Sequence, residues 1–84
     1  MKKFTRSEIE AKVNEILVEQ LYNVKASEIR PDARLMSDLG ADSIDAVDVY
    51  MEIEKAFYIN IPDDYVLKEM NVREVCDLVE RLQR

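Results

Sequence analysis

The sequence predicts an all-α protein, and two observations carry this prediction. The 84 residues contain one glycine and two prolines, so the residue types that interrupt helices are rare. Apolar residues recur at the three- and four-residue spacing of an amphipathic helix in three separate segments. We therefore predict a small four-helix bundle with a long first loop and a short third helix, folded as a single domain over residues 1–84.

The first helix is predicted from about Thr5 to Tyr22. Two pairs have the spacing of a capping box at its start, Ser7 with Glu10 and Thr5 with Glu8. One apolar stripe is expected to face the core: Ile9, Val13, Ile16, Leu17 and Leu21.

Residues 23–42 lack a helical period, because turn-forming residues such as Asn23, Pro31 and Gly40 interrupt them. Large apolar residues are nevertheless scattered through the segment: Val24, Ile29, Leu35, Met36 and Leu39. A flexible linker would not need them. We predict a long ordered loop whose apolar side chains cover the end and side of the bundle.

The second helix is predicted from Ser43 to about Phe57, with Asp42 as N-cap and Asp45 at the third helical position. Its core face would contain Ala46, Val49, Tyr50, Ile53, Ala56 and Phe57.

The remaining helices follow the second one closely. A short helical turn is predicted from about Asp63 to Glu69, and a last helix begins after Asn71, with Glu74 three residues on. The apolar stripe of the last helix consists of Val72, Val75, Cys76, Val79 and Leu82, so Cys76 is predicted to be a buried structural cysteine.

The second helix also has a second apolar patch, nearly opposite its core face. Ile44, Val47 and Met51 form this patch. Either a partner protein docks there, or the long loop or a second copy of the chain covers it; the pattern favours a partner. Charged residues border the patch: Asp48, Lys55 and Glu54.

Charge and composition limit the partners and the cellular location that we expect for the chain. The net charge of −6 argues against binding to nucleic acid or an anionic membrane and favours protein partners with basic patches. The chain has no histidine and a single cysteine, so an internal disulfide is impossible. No apolar run has the length of a membrane span, and the start lacks the apolar stretch of a signal peptide, which favours a cytoplasmic location.

Ser43 stands among acids but has no base that could activate it, so no catalytic residue is predicted. The spacing of Asp38, Asp42, Asp45 and Asp48 does not fit a calcium loop, and no metal site is predicted. Ser43 could be a plain helix-start residue. It could also be a modification site, where a phosphodiester would meet free backbone N–H groups and the positive end of the helix dipole.

The stretch from Asp38 to Asp45 resembles the attachment motif of acyl carrier proteins, and the downstream Ile61-Pro62-Asp63 is similar to that family as well. The resemblance extends from about Ile9 to Leu82. It implies a four-helix bundle in which Ser43 carries 4′-phosphopantetheine, transferred from coenzyme A by a phosphopantetheinyl transferase that uses Mg²⁺.

The resemblance further implies a function for the second helix and for the chain. Acyl groups would be held as thioesters on the arm and shuttled between separate enzymes of fatty-acid synthesis, and the chain would be a monomeric carrier, not an enzyme. Partner enzymes would bind the second helix, as its acids and apolar residues match the family's recognition positions: Asp42, Asp45, Asp48, Glu54, Ile44, Val47 and Met51.

Some positions depart from the family pattern. Ile44 replaces the usual leucine, Lys55 stands where an acid is common, and Glu69 lies near a usually apolar position. Tyr50 and Tyr65 add polar tips near the expected core. Two alternatives therefore stay open: a dedicated carrier for a polyketide, aminoacyl or specialised lipid pathway, and an interaction module that never carries the arm.

Overall fold

Four α-helices and one turn of 3₁₀ helix make up the fold, in a computed structural model that describes residues 3–66 and 68–83. Across these residues the chain has no strand, only an isolated bridge, so the prediction of an all-α four-helix bundle is confirmed. In chain order the elements are α1 (Arg6–Gln20), the 3₁₀ turn (Ala26–Glu28), α2 (Ser43–Phe57), α3 (Asp63–Val66) and α4 (Val72–Leu82).

The start of α1 uses the second of the two predicted capping boxes. The Thr5 side chain accepts from the Glu8 N–H, and the Glu8 carboxylate accepts from the Thr5 N–H at 2.8 Å. Tertiary contacts hold the preceding residue in place. The Phe4 ring packs edge-on against Phe57 at a centroid distance of 5.0 Å, and the Gln83 side chain bonds both the N–H and the carbonyl of Phe4.

Helix α2 has the predicted bounds and the predicted N-cap. It ends at Phe57, because the left-handed backbone of the next residue, Tyr58 (φ 56°), stops the helix while the Tyr58 N–H still bonds the Glu54 carbonyl. The predicted core face is buried apart from the half-buried Ala56: Ala46, Val49, Tyr50, Ile53 and Phe57.

The long loop between α1 and α2 is ordered and packed, as predicted. Its buried residues include Val24, Ile29, Leu35 and Leu39, and Met36 packs partly against the core. Backbone bonds tie the loop to the segment before α4. The Leu35 N–H donates to the Met70 carbonyl at 3.1 Å, and the Val72 N–H donates to the Ala33 carbonyl at 2.9 Å. This loop therefore forms one side of the bundle.

Helix α3 is shorter than predicted, since it ends at Val66 and Lys68 and Glu69 are not helical. Leu67, which the prediction included, lies outside the described residues. The physical reason for the early end is pairing with the long loop, because the Glu69 carboxylate and the Met70 carbonyl both accept hydrogen bonds from it.

The core lies between α1 and the two helices packed against it, α2 and α4. The predicted stripes of α1 and α4 are buried except for the half-buried Leu82, and Leu78, which the stripe did not include, is buried too. Cys76 is fully buried as predicted, and burial raises the pKa of its thiol to about 11. No helix in the described part of the chain is long and apolar enough to cross a membrane.

Candidate functional site

A tight turn brings the chain to the start of α2. Gly40 has a φ of +77°, a conformation that residues with a Cβ rarely adopt. Its N–H donates to the Met36 carbonyl at 3.1 Å, and the next N–H, of Ala41, donates to the Leu35 carbonyl at 2.9 Å. The glycine is therefore needed for its backbone conformation. A side chain at this position would not clash with its neighbours, since a Cβ there would meet no atom within 4 Å.

Asp38, the first acid of the motif, holds this turn together. Its Oδ2 accepts from the Arg34 N–H at 2.8 Å, and its own N–H donates to the Arg34 carbonyl at 3.0 Å. A carboxylate bonded to a backbone N–H in this way closes the loop on itself. Asp38 thus has a structural role, although it was not among the predicted site residues.

The two acids that flank Ser43 cap α2 reciprocally. Asp42 Oδ1 accepts from the Asp45 N–H at 2.8 Å, and Asp45 Oδ2 accepts from the Asp42 N–H at 3.2 Å. Each carboxylate uses one oxygen in this capping box. The second oxygen of each makes no hydrogen bond to residues 3–66 or 68–83 and is available to a partner protein.

Ser43 is the first residue of α2 and its side chain is exposed. Within the described part of the chain its hydroxyl has no hydrogen-bond partner, so the oxygen is accessible to a modifying enzyme. The backbone N–H groups of the first helical turn lack carbonyl partners inside the helix and carry a positive partial charge. A phosphodiester on this oxygen fits the site, because those groups would favour its negative charge.

An exposed apolar patch lies beside this serine on α2, as the helical pattern predicted. The exposed fractions are 71% for Ile44, 41% for Val47 and 48% for Met51, although all three are large apolar residues. Asp48 is exposed next to them. We call these four residues the α2 docking patch, because we propose that partner enzymes bind there. Neither the long loop nor any other described segment buries it.

Glu54, the last of the predicted recognition acids, differs from the others. It is half-buried, and its Oε2 accepts a 2.7 Å hydrogen bond from the Ile61 N–H. This bond fixes the chain as it leaves α2 and turns toward Pro62. Glu54 therefore stabilises the α2–α3 connection, a role that spacing alone did not indicate.

Two polar residues of note were not predicted as parts of the site. Glu69 accepts hydrogen bonds from the backbone N–H of Ser37 at 2.6 Å and from the Ser37 hydroxyl, and these bonds lower the pKa of its carboxyl. Tyr50 is buried with a hydroxyl that bonds no described residue. Both stood out in the sequence only as departures from an apolar pattern.

The comparisons with known proteins agree with this geometry. Residues 11–79 match the family described as "Phosphopantetheine attachment site". Acyl carrier proteins from two strains of Porphyromonas gingivalis are each 43% identical to this chain over 75 residues, which is 89% of this chain and 95% of each relative. The chain therefore belongs to the phosphopantetheine-attachment family of carrier domains.

Membership of this family defines the cofactor and the general function of the chain. The chain is a phosphopantetheine-bearing acyl carrier, and its cofactor is a covalently attached 4′-phosphopantetheine. Fatty-acid synthesis is the role typical of such carriers. When bound, the cofactor supplies a terminal thiol that holds acyl groups as thioesters; the residues of the chain position it and present it to other enzymes.

Proposed function

We propose that Ser43 is the attachment residue and that the whole chain acts as one carrier domain. The observation that carries this proposal is the exposed, unbonded hydroxyl at the start of a helix whose backbone is fixed by Asp42 and Asp45. A phosphopantetheinyl transferase with bound Mg²⁺ would be attracted by the free carboxylate oxygens beside the serine.

The α2 docking patch is proposed as the contact surface for the transferase and for acyl-processing enzymes. Apolar area from Ile44, Val47 and Met51 would provide the contact, and Asp42, Asp45 and Asp48 would meet basic residues of the partner. Charge attraction gives fast and weak binding, which suits a carrier that must leave each enzyme again. Glu54 would contribute mainly by holding the end of α2.

Fatty-acid synthesis by separate enzymes is the proposed pathway, and a dedicated carrier for a polyketide, aminoacyl or specialised lipid pathway is the second candidate. Lys55, which pairs with Glu52 at 3.3 Å, and the buried Tyr50 favour that second candidate. We propose that the chain works as a monomer in the cytoplasm and that all bond-making steps belong to its partner enzymes.

Intact mass spectrometry tests the attachment residue. The chain is incubated with coenzyme A, Mg²⁺ and a broad-specificity transferase, beside Ser43→Ala and Ser37→Ala as a matched control. We expect one phosphopantetheine on the wild type and on Ser37→Ala, and none on Ser43→Ala. A wild type that stays unmodified by an active transferase would instead support the non-carrier interaction module.

Charge reversal tests the docking patch. Asp48→Lys should slow arm transfer by about tenfold at low salt, because local charge steers the encounter. Glu19→Lys makes the same change in net charge on the exposed surface of α1 and should leave the rate unchanged. Equal slowing by both variants would mean that net charge, rather than this patch, controls the encounter.

A further inference from the structure

The hydroxyl of Tyr50 is the one buried side-chain oxygen or nitrogen in the described residues without a hydrogen-bond partner. Tyr50 is 2% exposed and sits on the core face of α2. An unpaired hydroxyl in a core destabilises the fold, and phenylalanine would fill the same space without that cost. The tyrosine therefore needs an explanation other than packing.

The position of Tyr50 relates it to the proposed attachment residue. It follows Ser43 by seven residues, which is close to two helical turns, so the two residues share one side of α2 about 10 Å apart along the axis. Ser43 is exposed at the start of the helix, whereas Tyr50 is buried on the core face further along it. The acyl chain is carried at the end of the arm, so an arm that folds back along this side of α2 and inserts its cargo into the bundle would bring that cargo to Tyr50.

A cavity of about 230 Å³ lies between α3 and α4. Tyr50 does not line this cavity, but Glu74 does; burial of the phenol, and then the charge of Glu74, raise the pKa of Tyr50 to about 12. The hydroxyl is thus protonated at neutral pH and can donate a hydrogen bond. The lining residues are Tyr65, Met70, Glu74, Asp77, Leu78 and Arg81, so the cavity has both apolar and polar walls.

We propose that Tyr50 determines cargo specificity: its hydroxyl donates a hydrogen bond to an oxygen atom on an acyl chain inside the bundle, so the carrier favours hydroxyacyl or oxoacyl groups over saturated ones. This inference rests on the proposed attachment at Ser43. A saturated chain would enter the same region but leave the hydroxyl unpaired. An oxygenated chain would accept a hydrogen bond from the Tyr50 hydroxyl, so neither that hydroxyl nor the oxygen of the buried chain would be left unpaired.

The test compares two cargoes on two variants. Octanoyl groups and hydroxyoctanoyl groups with the hydroxyl at successive carbons are loaded from their coenzyme A thioesters onto wild type and Tyr50→Phe, and loading is checked by intact mass. Cleavage of the thioester by hydroxylamine is then timed, because a chain held inside the bundle is protected. Tyr22→Phe, which removes the hydroxyl of a tyrosine that is 94% exposed, is the matched control.

At least one hydroxyoctanoyl group should be cleaved about fivefold faster on Tyr50→Phe than on wild type, while octanoyl is cleaved equally on both, and Tyr22→Phe should behave as wild type. Comparing the same cargo between variants cancels its intrinsic reactivity. Unloaded Tyr50→Phe should melt no lower than wild type, since it loses only an unpaired hydroxyl.

Two results would overturn the proposal. One is that Tyr50→Phe changes the protection of octanoyl and every hydroxyoctanoyl group by the same factor, or changes none of them. The other is a clearly lower melting temperature of unloaded Tyr50→Phe, which would show that the hydroxyl is already satisfied within the protein. If the proposed attachment at Ser43 were wrong, the intact-mass check would already show this, because no variant would gain the mass of the arm with its acyl group.

Discussion

Replacing Asp42 separates the structural and electrostatic roles of the acids beside Ser43, the proposed attachment residue. Asp42→Ala removes the side-chain acceptor for the Asp45 N–H, a 2.8 Å bond, and leaves that donor unpaired in the first turn. Loss of an N-cap of this kind costs about 1 kcal/mol. For a domain of this size the melting temperature should fall by about 4–8 °C.

Asp42→Asn is the matched variant, because asparagine caps a helix about as well as aspartate but carries no charge. It should keep the hydrogen bond to Asp45 and lose the favourable interaction with the helix dipole, about 0.3–1 kcal/mol at an exposed position. The variant also removes the repulsion between Asp42 and the neighbouring acids, so the net loss should be about 0.5 kcal/mol or less. The fall in melting temperature should then be about 2–4 °C or less. Circular dichroism at low and high salt would measure both variants, and the smaller dipole effect should disappear at high salt.

The same two proteins test the docking role. Asp42→Asn should accept the arm more slowly than wild type at low salt although its fold is nearly unchanged. If Asp42→Asn and Asp42→Ala were equally destabilised, the charge rather than the hydrogen bond would stabilise the start of α2, and the capping argument would be wrong. If both variants accepted the arm at the wild-type rate, Asp42 would have no part in recognition.

Three further predictions concern the fold. Because Asp42, Asp45 and Asp48 repel one another, added salt or Mg²⁺ should raise the melting temperature, and a flat titration would contradict this. Gly40→Ala should cost about 1 kcal/mol in chemical denaturation from its positive φ alone, whereas a loss several times larger would reveal an unrecognised contact. Burial raises the pKa of Cys76 from 9.0 to about 11 and of Tyr50 from 10.0 to about 12. The folded chain therefore keeps protons that the unfolded chain releases, and stability should fall from pH 9 to pH 12 by up to about 3 kcal/mol per group, less in Tyr50→Phe.

The sequence predicted best those features that neighbouring residues determine. The start of α2 is specified by Asp42 and Asp45, which lie within one turn and bond each other's backbone. The buried and exposed faces of α2 followed from the helical period, and Ile44 and Met51 are exposed as predicted. Such local rules need no knowledge of the rest of the fold.

Features that depend on residues far apart in sequence could not be predicted in this way. The choice of Thr5 over Ser7 as the cap of α1 agrees with the packing of Phe4 on a distant ring of α2. The early end of α3 depends on bonds between the loop and Glu69, thirty-two residues from Ser37. Both results come from tertiary contacts, which override local preference where that preference is weak.

The order of Asp42 and Ser43 leaves the hydroxyl of the proposed attachment residue free. A serine at the N-cap would itself accept the N–H of the third helical residue, and its oxygen would be held in the first turn. In this chain Asp42 takes that position, so Ser43 falls one residue later, where its backbone is helical and its hydroxyl is uncommitted. The capping box therefore fixes the main chain on both sides of the serine through backbone N–H groups alone. An arm attached there would have a rigid base and an exposed oxygen, the combination that a carrier needs to present the same serine to many enzymes.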